Sequence, residues 1–206
     1  MSNQVDLPDE TRDRVLMAAM QLFAGKGFQS TSIADILQAA GAHSGSLYHF
    51  FPTKQHLLLA VLERYRDGIE PMLLAPAWRA TPDAIEKVFA LLAVYRGALL
   101  ESACTYGCPI GSLALELHEP DPPVRDLLAV NFDGWVRHVQ GCFDAARKRL
   151  PRGTDTRRLA IFVLTTMEGG VMLARTHRSI EPFDAAVAAL RDYLKRLQSK
   201  PRSARK

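Results

Sequence analysis

Ser44, Gly45, Ser46, Tyr48 and His49 bring two hydroxyls, an unsubstituted backbone position, a phenol and an imidazole into six consecutive residues. These are short-range hydrogen-bonding groups, suited to an anion or to polar edges rather than to bond cleavage. Thr31, Ser32 and Lys54 flank the stretch and add two more hydroxyls and an ammonium. Elsewhere, groups that could do chemistry are sparse. No Ser-His-Asp order, phosphate loop or metal-ligand cluster is recognisable, so an enzyme, a metal site and a cofactor are not expected. Cys104 and Cys108 stand four apart, but Gly107 and Pro109 interrupt any helix that would align them. They read either as ordinary thiols or as a redox-sensing pair. Glu168 interrupts the apolar run Ile161 to Met172. A buried carboxylate needs a partner, so Glu168 either reads a cationic or hydrogen-bonding ligand or closes an internal salt bridge or helix end.

The elements that must hold these residues are helices. The 206 residues are 48% hydrophobic and 23% charged, which supplies a substantial core and excludes fibrous and wholly disordered classes. Pro82, Pro122 and Pro182 sit where a first helical turn tolerates a missing N–H, with Thr81 and Asp121 as N-cap candidates. After Asp121 the residues Val124, Leu128, Phe132, Trp135, Val139, Cys142 and Ala146 recur at helical spacing. Phe183, Val187, Leu190, Leu194 and Leu197 do the same near the C-terminus. No stretch alternates like a strand, and no Asn-Gly or Asp-Gly hairpin occurs. The expectation is an all-α chain of nine or ten helices, with a seam in the proline-bearing stretch Gly68 to Pro82.

The start, Met1 to Arg14, is polar and acid-rich, unlike a secretory signal, and uninterrupted apolar stretches such as Phe89 to Tyr95 are too short to span a bilayer. With three sparse cysteines, this predicts a cytoplasmic protein with no membrane partner. The net charge is +4, but residues 1–68 hold six Lys/Arg against seven Asp/Glu, and much of the excess lies in the basic tail. That tail, 200–206, reads as a solvated end.

Between Thr11 and Tyr65 the punctuation becomes specific. A first helix with Val15, Ala19, Leu22 and Phe23 on one face ends at Gly25-Lys26-Gly27. A second runs from Thr31-Ser32 to Gly41, and Ser32 and Asp35 stand three apart, as in a capping box. Only Ala42 and His43 precede a third short helix, Ser44 to Phe51, stopped by Pro52. Helix, tight glycine-containing turn, helix is the connection of a helix-turn-helix, whose second helix enters the major groove of double-stranded DNA.

Residues Arg12 to Arg66 resemble the N-terminal domain of the TetR family of bacterial transcription regulators. The resemblance is carried by Ala18-Ala19, Leu22-Phe23, Gly25-Lys26-Gly27-Phe28, Thr31-Ser32-Ile33-Ala34-Asp35-Ile36, Ala40-Gly41, Gly45-Ser46-Leu47-Tyr48-His49-Phe50-Phe51, Thr53-Lys54 and Leu57-Leu58. His43 stands where a Ser often caps the recognition helix, and Phe50 where His or Tyr is usual; His43 is either a substitute cap or a base reader. By resemblance, Tyr48 contacts the DNA backbone, His49 a phosphate or base edge, Thr31 and Lys54 act as outer phosphate clamps, and Ser44, Gly45 and Ser46 open the recognition helix toward phosphate. Because residues 1–68 carry no positive excess, neutral donors are expected to do more of this work than Lys/Arg.

The resemblance implies an all-α architecture in which a DNA-binding domain at 8–68 joins a larger effector-binding and dimerisation domain at 69–199. Gly107-Cys108-Pro109-Ile110-Gly111-Ser112-Leu113-Ala114-Leu115-Glu116 resembles a segment found in a subset of these regulators. The implied partners are operator DNA, a second copy of the chain and an unknown small-molecule effector. Effector candidates are Phe89, Tyr95, Cys104, Tyr106, Trp135, His138, Phe162, Thr166, Glu168 and Met172, each of which is otherwise plain core. Gly169 and Gly170, costly in mid-helix, and the Phe183/Val187/Leu190/Leu194/Leu197 stripe are candidates for the dimer seam, with packing inside one subunit as the alternative. Family members are usually repressors released by ligand; an activator, a thiol sensor or a helical interaction module without sequence-specific DNA binding are the competing readings.

Overall fold

A computed structural model describes residues 8–199 of the chain. The N-terminal residues 1–7 and the basic tail 200–206 lie outside the described residues. Among those described, ten α-helices and no strand occur. They are α1 (Pro8–Lys26), α2 (Ile33–Ala40), α3 (Ser44–Phe50), α4 (Lys54–Gly68), α5 (Ala75–Trp78), α6 (Ala84–Glu101), α7 (Pro109–Glu116), α8 (Pro122–Ala145), α9 (Thr156–His177) and α10 (Glu181–Ser199). The described residues group into two compact units, one formed by those up to Asp67 with Pro109–Asn131, the other by Gly68–Cys108 with those from Phe132 to Ser199.

Local sequence dictates most helix ends. Ser32 caps α2 by accepting the Asp35 N–H at 3.1 Å while the Asp35 carboxylate accepts the Ser32 N–H at 2.8 Å, and Gly41 closes the helix at φ 59°. Asp155 caps α9 by accepting the Arg158 N–H at 3.0 Å. At α6 the cap is Asp83, which accepts from Ile85 and Glu86, rather than Thr81. Asp83 lies one residue beyond Pro82, so its carboxylate rather than the Thr81 hydroxyl reaches the first free amides.

The proline-bearing stretch after Gly68 keeps helical winding as far as Trp78 and breaks only at 79–83. It continues as a π-helical segment, Ile69–Leu74, and then α5. The wider turn, seen in the Ala75 N–H bonding to the Glu70 carbonyl, accommodates Pro71, which cannot donate to the ladder.

In the first unit, Val15, Ala19 and Phe23 of α1 are buried together with Ile36, Leu47, Phe51, Leu57 and Val61. Helix α1 packs against both short helices, α2 and α3. Asn131 is buried and spends its amide on the carbonyls of Leu62 (3.1 Å) and Leu127 (2.8 Å). The second unit has one continuous core drawn from α6, the C-terminal part of α8, α9 and α10, centred on Val88, Leu91, Val139, Phe143, Val163, Met167, Phe183 and Leu190. Helix α9 is long and apolar enough to cross a membrane by length and composition. Its buried residues belong to this core, where it packs against α6 and α10.

Candidate nucleic-acid interface and effector site

The turn from α2 to α3 places a short helix with a single buried anchor. Leu47 is fully buried, whereas Ser44, Gly45, Tyr48 and His49 around it are exposed and Ser46 is partly so. Tyr48 leaves 50% of its surface open. The first intrahelical bonds run from Ser46 (3.1 Å) and Leu47 (3.2 Å) to the His43 carbonyl, so the amides of Ser44 and Gly45 precede the ladder. A Cβ on Gly45 would meet nothing within 4 Å. Glycine there leaves bare backbone facing outward and is not required by internal packing. His43 occupies the N-cap position but makes no side-chain cap bond, which removes the substitute-cap reading.

The flanking residues behave differently from one another. Thr31 is 1% exposed, and its hydroxyl donates to the Gly27 carbonyl at 2.6 Å. Its role as an outer phosphate clamp is therefore corrected: the hydroxyl closes the end of α1 and faces away from solvent. Ser32 lies at the surface, with its oxygen engaged in the cap of α2. Asp35 in that cap has its carboxyl lowered from 3.8 to about 2, chiefly by the Ser32 backbone N–H and then by Lys26, whose ammonium lies 3.0 Å away. Lys54 folds back on the α1–α2 turn, donating to the Phe28 carbonyl with its Nζ 4.3 Å from the centre of the Phe28 ring. Partial burial lowers its basicity, while Glu116 and Asp35 favour its charge.

Glu116, at the end of α7, was not singled out by the sequence as a site residue. Its carboxylate accepts the N–H groups of Phe28 (2.9 Å) and Gln29 (2.7 Å). Gly27 makes this approach possible. It has φ +89°, and a Cβ there would stand 2.9 Å from a Glu116 oxygen. Lys54 and Glu116 thus grip the carbonyl and amide sides of one turn.

In the second unit the effector candidates separate. Tyr95 of α6, Trp135 of α8 and Glu168 of α9 come together, joined by Cys108, which sequence reasoning treated only as a thiol. The Cys108 thiol hydrogen-bonds Tyr95 and Glu168. Trp135 is 5% exposed, yet its Nε1 has no well-formed hydrogen bond, and Glu168 Oε1 is likewise buried without one. The Trp135 Nε1 does lie close enough to the Tyr95 oxygen to favour phenolate slightly, but this contact fails as a directed hydrogen bond. Burial raises the Glu168 carboxyl, offset in part by the thiol, and raises the Tyr95 phenol well above 10.

The remaining candidates do not join this cluster. Tyr106, Phe162 and Met172 are largely exposed, which corrects their reading as cavity lining, and Phe162 packs edge-on against Tyr193 at 5.5 Å. Thr166 bonds the Phe162 carbonyl of its own helix, and His138 is half-buried on α8. Phe89 lies under the Arg191 guanidinium at 3.7 Å and lines an open groove of about 430 Å³. Cys104 is buried in a left-handed turn at φ 56°, its carbonyl accepting from Arg178 at 2.9 Å. No disulfide joins Cys104, Cys108 or Cys142, and burial pushes Cys142 up to about 11.

The seam candidates require the larger correction. Phe183, Leu190 and Leu194 are buried in the chain's own core, with Val187 and Leu197 packed against it. A Cβ on Gly170 would meet Phe183 at 3.1 Å, so that glycine serves the α9–α10 approach within one chain. Gly169 faces open space. The outward apolar residues of these helices are instead Ile161, Phe162, Met172, Leu173 and Tyr193.

Comparison with known proteins identifies this arrangement. Residues 15–61 match the family described as bacterial regulatory proteins, tetR family, and residues 84–189 match the LmrA/YxaF-like transcriptional regulator C-terminal domain. The chain belongs to the TetR family. It is similar to the uncharacterised HTH-type transcriptional regulator Rv0196 of Mycobacterium tuberculosis, at 30% identity over 89% of this chain and 93% of that protein. It is also similar to the HTH-type transcriptional regulator LmrA of Bacillus subtilis, at 25% identity over 91% and 98%. Among solved structures, a cysteine mutant of the TetR family regulator CifR, complexed with 26-bp double-strand operator DNA, superposes with TM-score 0.74. It is 25% identical and covers 94% of this chain and 100% of that one. As a TetR family member the chain is a DNA-binding transcription regulator and not an enzyme.

Proposed function

We propose that this regulator is a repressor that binds a palindromic operator as a homodimer and is released by a small-molecule effector. The observation that carries the DNA reading is α3, where buried Leu47 anchors a helix whose remaining polar groups Ser44, Ser46, Tyr48 and His49, with bare Gly45, face outward. Two such helices about one DNA turn apart would enter successive major grooves. The dimer reading rests on the outward apolar face of α9 and α10, formed by Ile161, Phe162, Met172, Leu173 and Tyr193, where Gly169 leaves room for a close neighbour. The effector reading rests on the buried polar atoms at Trp135 and Glu168. An effector there releases DNA only by its differential affinity for the two states. The chain would act in the cytoplasm, where a bacterial operator lies.

The test is fluorescence anisotropy with labelled duplexes tiled across the DNA upstream of the gene and its neighbours, against scrambled duplexes at fixed salt. Saturable binding to one palindromic tile, lost in a Ser46→Ala/Tyr48→Ala variant of unchanged stability, is expected. Equal weak binding to every duplex would refute the operator reading.

A further inference from the structure

We propose that the effector site takes a protonated amine that carries an apolar body and an oxygen acceptor close to the nitrogen, with Glu168 receiving the ammonium and the Trp135 N–H donating to the oxygen. The proposal rests on the effector reading above and adds the chemical class. Four helices or their flanks converge on the cluster, yet the groups they bring leave two polar atoms without directed bonds. Glu168 Oε1 is a buried acceptor, and Trp135 Nε1 is a buried donor. Burial without a partner is costly for a charged group and less so for a neutral indole N–H. No directed hydrogen bond from the protein's own groups reaches either atom. The partner that Glu168 does have is the Cys108 side chain, which is not a cation, and burial rather than any neighbouring cation dominates its ionisation. The internal salt bridge that a buried carboxylate on α9 invites is thus absent at Glu168 among the described residues.

The two orphan atoms are of opposite kind, which restricts the ligand. An anion would complement Trp135 Nε1 but would face the Glu168 carboxylate. A purely apolar molecule would leave both atoms unpaired. A neutral alcohol can satisfy each atom but gains nothing from charge. A protonated amine with an ether or hydroxyl oxygen pairs both atoms and supplies the missing countercharge, and the aromatic residues Tyr95 and Trp135 suit the apolar part of such a cation.

The experiment uses the full chain and three probes of one shape: 2-phenoxyethylamine, 2-phenoxyethanol and phenoxyacetate, a cation, a neutral molecule and an anion. Calorimetry is expected to show the amine binding roughly tenfold or more tighter than the alcohol, the scale of one charge-assisted hydrogen bond, with the acid weakest. Glu168→Gln keeps the shape and removes the charge, so it should erase the preference for the amine while leaving the alcohol unchanged. Trp135→Phe should weaken amine and alcohol by the same factor and keep the charge preference. Urea melts of both variants confirm folding. No binding of the amine, equal binding of amine and alcohol, or an amine affinity unchanged in Glu168→Gln overturns the proposal. Operator release is read separately by anisotropy. Amine binding that depends on Glu168 but leaves operator affinity unchanged would sink the effector reading and keep the site, whereas release by the alcohol or the acid alone would keep the effector reading and sink the amine.

Discussion

Replacing Glu116 by Ala removes the carboxylate that accepts the N–H groups of Phe28 at 2.9 Å and Gln29 at 2.7 Å, and leaves the α1–α2 turn without its grip. A hydrogen bond to a charged group contributes about 1.5–3 kcal/mol when its loss leaves the partner unsatisfied. Here the Gln29 amide is exposed and the Phe28 amide only partly buried, so water recovers much of that. The expected net loss is about 1–2 kcal/mol, or roughly 2–8 °C in melting temperature for a chain of this size. The same carboxylate also explains why position 27 is glycine. Gly27→Ala is strained twice, by φ +89° and by a Cβ placed 2.9 Å from Glu116. Only the second strain disappears in the Glu116→Ala background, so the cost of Gly27→Ala should fall there by a measurable coupling energy. Urea denaturation of the four proteins of this cycle gives the energies, and amide shifts of Phe28 and Gln29 report the bonds directly. A Glu116→Ala protein as stable as the parent, with both amides unshifted, would refute the grip; strictly additive effects would refute the account of Gly27.

Three further outcomes follow from the same geometry. The Asp35 carboxyl, held chiefly by the Ser32 N–H, should titrate in the folded protein near 2 instead of 3.8. Since the folded value is the lower one, this cap's contribution is complete above about pH 4 and disappears as pH falls toward 2; an Asp35 titrating near 3.8 by NMR would contradict the capping box. Thr31→Val should lower stability by about 1 kcal/mol through the lost bond to Gly27 while barely changing operator affinity, whereas Tyr48→Ala should do the reverse; a large operator defect in folded Thr31→Val would restore it to the DNA face. A salt titration of operator binding should give a log-log slope well short of about −10, because α3 carries no Lys or Arg and Lys54 is already engaged at Phe28; a slope that steep would show that Lys/Arg contacts dominate.

The first unit was legible because its information is local. Ser32, Asp35 and Gly41 each act within one helical turn of their own position, and spacing alone reveals such roles. What the sequence concealed depends on where the chain turns back on itself. Thr31 looks like any surface hydroxyl until Gly27 and Leu22 are seen to accept from it. Residues 109–131 read as part of the body, but fold with the N-terminal helices, and no run of composition marks that return.

The seam stripe failed for a different reason. A periodic apolar face states that a helix buries one side, and it does not state against what. On α10 the regular Phe183, Leu190 and Leu194 belong to the chain's own core, so the large apolar residues left exposed are the irregular ones, Tyr193 with Ile161, Phe162, Met172 and Leu173 on α9. Gly169 and Gly170 make the distinction residue by residue. The two are adjacent and chemically identical, but a methyl group on Gly170 would strike Phe183 of the same chain, whereas one on Gly169 would enter open space. A small residue required by internal packing and one that leaves room for a second molecule carry the same letter, and only the neighbouring atoms separate them.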